Sequence, residues 1–312
     1  MAHSGRRSWS QSAHRLSGMG GFISGSLRYL RLTCLLLLAA CAPPRGTGPI
    51  ALAGDVGDTV RLAAPATRVA SLQPTTTELL FAIGAGELVI GRTTWCDAPA
   101  AALAVPSLGD GLSPNLEAIV AADPDLVLLY PSALNDAAAA RLGELGIATL
   151  RLRTNRLIDV PRLARLLGRA TGRDAEGDSV AARFERELAA ATTTRTNGPT
   201  VFILAWDQPL TTIGAGSFLS EVVQRAGGRN VFGELESASA PVSLEAVIAR
   251  DPSLVLVPSA ELRDTAIRPE WNAVPAFRER RILRVTGSEY LRPTPRAPGA
   301  VRALAARLAE VK

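Results

Sequence analysis

Short apolar runs and amphipathic stretches alternate along most of this chain, and the alternation predicts its elements. Between residues 67 and 157 there are four β-rich runs, "RVASL", "LVIGRT", "DLVLLY" and "IATLRL". Stretches with helical spacing separate them: "TTTELLFAIGAG", with a Thr cap and a glycine end, "NLEAIVAAD", with Asn115 placed to cap it, and "DAAAARLGELG". "DLVLLY" is apolar at almost every position, as expected of a parallel strand covered on both faces. From Ile158 to Ala191 the spacing is helical throughout. "DVPRLARLLGRATG" ends at Gly172, and a longer helix follows with Val180, Phe184 and Leu188 on one stripe. Strands and helices then alternate again, in "TVFILAW", "FLSEVVQRAGG", "SLEAVIARD" (capped by Ser243), "SLVLVPS", "WNAVPAFRERR", "RILRV" and "PTPRAPGAVRALAARLAEV". The pattern predicts an α/β fold, two lobes with mainly parallel sheets joined by a long helix. Ahead of the first lobe, "LAGDVGDTVRLAAPAT" reads as a small β-ribbon.

One unit occurs twice. "LEAIVAADPDLVLL" (Leu116–Leu129) and "LEAVIARDPSLVLV" (Leu244–Val257) share nine of fourteen positions at an offset of 128 residues, and three of the five differences exchange one aliphatic residue for another. Each copy reads as a short helix, a "DP" turn and a buried strand. The Glu of each copy, Glu117 and Glu245, falls in the first helical turn, where a carboxylate complements the helix dipole.

The N-terminus carries a different pattern. Arg28 and Arg31 precede an apolar run from Leu32 to Ala40, and small residues then meet Cys41. This is the layout of a secretory signal, with an apolar run too short to span a bilayer comfortably. "LAAC" resembles the bacterial lipobox, which implies cleavage before Cys41 and lipid attachment there; Met19 is an alternative start. "APPRGTGP" after it reads as a tether. The divisions are 1–40 signal peptide, 41–66 lipid-anchored tether and lead-in segment, 67–157 N-terminal lobe, 158–197 linking helices, and 198–312 C-terminal lobe.

Composition narrows the chemistry. The net charge of +5 comes from scattered arginines, Lys occurs only at Lys312, and aromatics are 4% of residues, so no nucleic-acid stripe is present. Both histidines, His3 and His14, precede the apolar run, which removes most zinc sites, Ser-His-Asp triads and His-ligated haem from the folded part. Cys96 is the only thiol after Cys41. No GxGxxG fingerprint, P-loop or GxSxG is found, so an enzyme is not expected; a two-lobe α/β enzyme and a purely structural envelope lipoprotein are the alternatives from other classes.

From about residue 50 to 312 the chain resembles the substrate-binding proteins of bacterial ABC importers that have a helical backbone, which serve vitamin B12, ferric siderophores and haem. The resemblance rests on "RVASLQPTTTELLFAIGAGELVIGRT", "PSLGDGLSPNLEAIVAADPDLVLL" and the second copy of the repeat; "TTWCDAP" is most like the cobalamin-binding branch. It implies a ligand cleft between the lobes, a transported corrinoid rather than a resident cofactor, no metal site, a monomer, and a location in the periplasm or on the outer face of the cell membrane. It also implies that Glu117 and Glu245 dock onto arginines of an ABC permease, and that the lipid on Cys41 holds the membrane.

By the same resemblance, loops at the strand ends bring Gln73, Trp95, Cys96, Asp110, Tyr130, Trp206, Phe218, Tyr290 and Arg292 to the ligand. Flat side chains suit the faces of a corrin ring. For each aromatic alone, packing within its own lobe is an equal alternative, and Cys96 also reads as a small packed residue. Arg292 and Arg296 are placed either for an anionic group or for a surface role. A ferric siderophore or haem is the alternative ligand; without histidine, haem would have only Tyr130 and Tyr290 as axial partners.

Overall fold

The computed structural model describes residues 49–193, 195, 197–258 and 269–311. The expected signal sequence, Cys41 and the expected tether up to residue 48 lie outside the described residues.

The chain enters through an antiparallel ribbon, β1 (Ile50–Ala53) and β2 (Thr59–Leu62). Leu52 of the ribbon is fully buried, and Asp55 in its turn accepts both terminal nitrogens of Arg162 at 2.8 and 2.9 Å. The first lobe follows as β3 (Val69–Ser71), α1 (Pro74–Ala82), β4 (Val89–Arg92), α2 (Leu116–Ala121), β5 (Leu126–Leu129), α3 (Ala133–Glu144) and β6 (Ala148–Arg151). Its four strands are parallel, in the order β4-β3-β5-β6. The Thr cap predicted for α1 is not used. The helix starts at Pro74, whose fixed φ suits the first helical position, after Gln73 in extended conformation without a side-chain cap bond. The hydroxyls of Thr76 and Thr77 instead donate back to the Gln73 carbonyl, at 3.0 and 3.1 Å.

Two helices follow, α4 (Asp159–Thr171) and the eighteen-residue α5 (Asp174–Ala191), separated by a left-handed Gly172. They cross closely because each offers a glycine. A Cβ on Gly177 would lie 2.6 Å from the Ala164 carbonyl oxygen, and one on Gly168 would lie 3.1 Å from the Gly177 Cα. Val180, Phe184 and Leu188 face the core, as their spacing predicts.

The second lobe contains β7 (Thr200–Asp207), β8 (Leu210–Ile213), α6 (Phe218–Arg225), β9 (Arg229–Asn230), β10 (Ser239–Pro241), α7 (Leu244–Arg250), β11 (Leu254–Val257), α8 (Pro275–Arg278), β12 (Ile282–Arg284) and α9 (Ala297–Ala309). Here the sheet is mixed: β7, β11 and β12 are parallel, and β8 and β10 extend it antiparallel. "WNAVPAFRERR" does not form one helix. A 3-10 turn over Pro269–Ala273 stops at Val274, which is extended because Pro275 follows it.

Strand alternation divides the apolar residues among three clusters. In the first lobe, Leu126 and Leu128 of β5 point to a central core, while Val127 and Leu129 point to an outer cluster with Ile119 and Leu142. In the second, Leu254 and Leu256 of β11 point to the same central core, and Val255 and Val257 to an outer cluster with Phe202, Phe232 and Trp271. The central core runs through Leu163 and Leu167 of α4 and Phe184 of α5, so the helices weld the two sheets into one compact unit over residues 47–312.

Candidate ligand cleft

In open parallel sheets the loops at the carboxyl ends of the strands form the binding crevice. Those loops are also where the two lobes meet. Thr75 Oγ1 at the start of α1 donates to the Pro293 carbonyl at 2.8 Å. Glu78, one turn on and 5% exposed, takes Nε and Nη2 of Arg296 at 3.0 and 3.1 Å, and Arg292 Nη2 at 3.5 Å. Arg292 also pairs with Asp97, and Arg296 with Glu289. A second seam lies at Asn155. Its Oδ1 accepts the Tyr130 hydroxyl at 3.0 Å, and its carbonyl accepts the Phe218 N–H at 2.9 Å. Glu221 then receives Arg156 and the Leu157 N–H.

The residues named from sequence take distinct places. Gln73 is buried, and its amide donates to the Leu129 and Leu152 carbonyls at 3.3 Å, holding the ends of β5 and β6 together. Cys96 is fully buried, with its Sγ 3.2 Å from the hydroxyls of both Thr77 and Thr93. Phe218 belongs to the central core, as does Tyr290, whose hydroxyl donates to the Ala300 carbonyl at 3.1 Å. Burial pushes the Tyr290 phenol above its usual pKa. Tyr130 is half-buried at the Asn155 seam. Arg292 sits in the Glu78–Asp97 ion-pair network. Asp110 is exposed and accepts the Ser113 and Leu112 N–H groups, which hold its carboxyl below the usual range.

Trp95 and Trp206 stand apart from the rest. They are 62% and 54% exposed, one beyond β4 and one near the end of β7. The burial of Cys96 beside it and the 3.2 Å bond from the Trp95 N–H to Thr93 Oγ1 turn the Trp95 ring outward. A β-bulge between Leu204 and Trp206 re-aims the second ring, and its Nε1 donates to the Gln208 carbonyl at 2.8 Å. Leu112, Leu134 and Leu291 are also exposed on segments that follow strand ends, and the sequence reading did not single them out. Leu112 and Leu291 lie in irregular segments and Leu134 in the first turn of α3, so only their exposure marks them. Among the described residues no group of His, Cys, Asp or Glu is arranged to hold a metal.

Glu117 and Glu245 are exposed on the first turns of α2 and α7. Asn115 and Ser243 cap those helices, accepting the Ala118 and Ala246 N–H groups at 3.0 and 3.1 Å. The Glu245 carboxyl is held below its usual range by its own backbone N–H and then by the Ser243 hydroxyl.

Comparison with known proteins agrees with this architecture. A vitamin B12-binding protein of Vibrio parahaemolyticus is 28% identical over 240 residues, spanning 76% of this chain and 87% of the relative. The structure of the periplasmic vitamin B12 binding protein BtuF of Vibrio cholerae superposes with a TM-score of 0.69 at 25% identity, covering 78% of this chain and 97% of that one. The periplasmic heme-binding protein RhuT of Roseiflexus sp. RS-1, in apo form, gives 0.70 at 26% identity, covering 78% and 98%. The periplasmic binding protein family matches residues 69–288, both sheets and the two helices between them, and this chain belongs to that family.

Proposed function

We propose that this chain is an extracytoplasmic solute-binding lipoprotein of an ABC importer, which captures a cobalamin-like corrinoid between its lobes and delivers it to the permease. The observation that carries the reading is the pair of exposed indoles, Trp95 and Trp206, one on each lobe at strand ends. Two flat apolar faces suit a large ring with little charge of its own. The arginines of the segment 288–296 would otherwise favour an anionic ligand, but they are engaged by Glu78, Asp97 and Glu289. The two tyrosines available as axial ligands for haem both donate their hydroxyls within the protein. The vitamin B12-binding relative supports the same choice. Anchoring rests on the "LAAC" sequence at Cys41, and docking on the exposed Glu117 and Glu245.

Calorimetric titration of the mature chain with cyanocobalamin, cobinamide, haem and ferric siderophores tests the ligand. Corrinoid binding at micromolar concentration or tighter is expected, and Trp95→Ala and Trp206→Ala should each weaken it about tenfold, as for aromatic anchors of a binding surface. Heat from haem or a siderophore alone overturns the corrinoid reading.

A further inference from the structure

The two exposed indoles are held in different ways. Trp206 is fixed from within its own lobe: it pairs with Thr211 of β8, and its ring nitrogen donates to the Gln208 carbonyl at 2.8 Å. Trp95 lies in a turn with two kinds of anchor. From the first lobe, Thr94 donates its N–H to the Gly109 carbonyl at 2.9 Å, and the Cys96 thiol lies 3.2 Å from the Thr77 hydroxyl of α1. Beyond Trp95 the chain turns back, and the Asp97 N–H donates to the Trp95 carbonyl at 3.0 Å, so the two residues move together. The Asp97 carboxylate then reaches out of the first lobe. It pairs with Arg292, 195 residues on, in the segment between β12 and α9 of the second lobe. An isolated pair with a half-exposed carboxylate contributes little, because ordering two side chains offsets the Coulomb gain. Here the guanidinium is already ordered. Arg292 is 17% exposed and lies beside Glu78, 5% exposed, which also holds Arg296. Arg296 is fixed in turn by Glu289 and by donating to the Ser288 hydroxyl at 2.8 Å. Asp97 therefore meets a cation whose place is set by the buried carboxylate.

We infer that Asp97 and Arg292 form a latch between the lobes that positions Trp95, so that the second lobe governs the stance of an aromatic face carried by the first. Arg292 is a positioning residue, acting through Asp97 and not on the ligand. This rests on the reading of Trp95 as a ligand contact and adds what sets its place. The consequence is an asymmetry between the two rings. A change in the spacing of the lobes reaches Trp95 through the latch, whereas Trp206 stays where its own strand holds it.

Two forms of the mature chain, Trp206→Phe and Trp95→Phe, each keep one exposed indole and share the buried Trp271, so fluorescence anisotropy tests the latch without ligand. Adding Asp97→Asn to the first form should lower the anisotropy contributed by Trp95, and adding it to the second should leave that of Trp206 unchanged. Asp97→Glu, which keeps the carboxylate, should preserve the anisotropy of Trp95. An unchanged Trp95 signal in Asp97→Asn, or an equal fall for Trp206, overturns the inference. Calorimetry with cyanocobalamin then reads the effect on binding. Asp97→Asn and Arg292→Gln should each weaken it about three- to fivefold, and by no more when combined. The Asp97→Asn effect should vanish in a Trp95→Ala background and persist in full in Trp206→Ala. A further loss from Arg292→Gln on top of Asp97→Asn would place Arg292 on the ligand itself and overturn the inference. Should the unaltered chain bind no corrinoid, the proposed ligand falls, and the anisotropy still decides the latch.

Discussion

The sheets of the two lobes are built on one plan and finished differently. In both, a repeat strand (β5 or β11) lies beside the lobe's first strand, its even-numbered leucines in the shared core and its odd-numbered residues in a private one. The first lobe stops at four parallel strands, whereas the second adds an antiparallel extension through β8 and β10 and buries Phe202, Phe232 and Trp271 on its outer side. The first lobe's outer cluster is aliphatic throughout and has no aromatic member. The lesson is that the duplicated unit supplies a sheet and a route to the central helices, while what covers the outer face is free to differ.

The sharpest test of the shared core is to cut it from both sides. Leu128→Ala and Leu256→Ala remove equivalent, fully buried side chains, and each should cost about 2–5 kcal/mol. Because both leucines enter one core, guanidinium unfolding should remain a single transition in each variant; two separate transitions would show that the lobes unfold on their own.

Glu78 in α1 ties the lobes through Arg296 and Arg292, and Glu221, at the equivalent place in α6, ties them through Arg156. Glu78→Ala leaves Arg296 and Arg292 facing a hole, at an expected cost of about 2–3 kcal/mol, reduced from that of a fully buried pair because Arg296 is partly exposed. Calorimetry reads this directly, and a loss below about 0.5 kcal/mol would place the weight of the junction on the Asn155 seam instead.

The latches at the foot of the repeat strands predict a graded difference. Asp125→Ala breaks charge-assisted bonds to Thr67 and Arg68 and should cost about 1.5–3 kcal/mol, against about 1 kcal/mol for Ser253→Ala. Equal effects would mean that the charge on Asp125 contributes nothing beyond a neutral hydrogen bond. The smallest effects belong to the caps. Asn115→Ala and Ser243→Ala should each cost about 1 kcal/mol in urea unfolding, and exchanging the two residues between sites should cost little.

Much of this was legible along the chain, for identifiable reasons. "DLVLL" and "SLVLV" are strands because unbroken apolar runs with β-branched residues suit a sheet covered on both faces. Asn115 and Ser243 cap because their short polar side chains reach a free N–H three residues on. The "TTTELL" start was misread because Thr and Pro both suit a helix start, and the proline prevailed. The antiparallel extension was missed because "LTTI" and "SAP" carry too few apolar positions to show a period.

The sequence by itself determined most of the elements, their order and the duplication, because periodicity and caps are local. Only the tertiary structure decided which residues meet. It set Glu78 against Arg296, 218 residues away, and sorted five loop aromatics into buried Phe218 and Tyr290, half-buried Tyr130, and exposed Trp95 and Trp206. A contact across that separation leaves no periodic trace, and whether a ring turns in or out depends on a neighbour such as Cys96 or a bulge such as the one before Trp206.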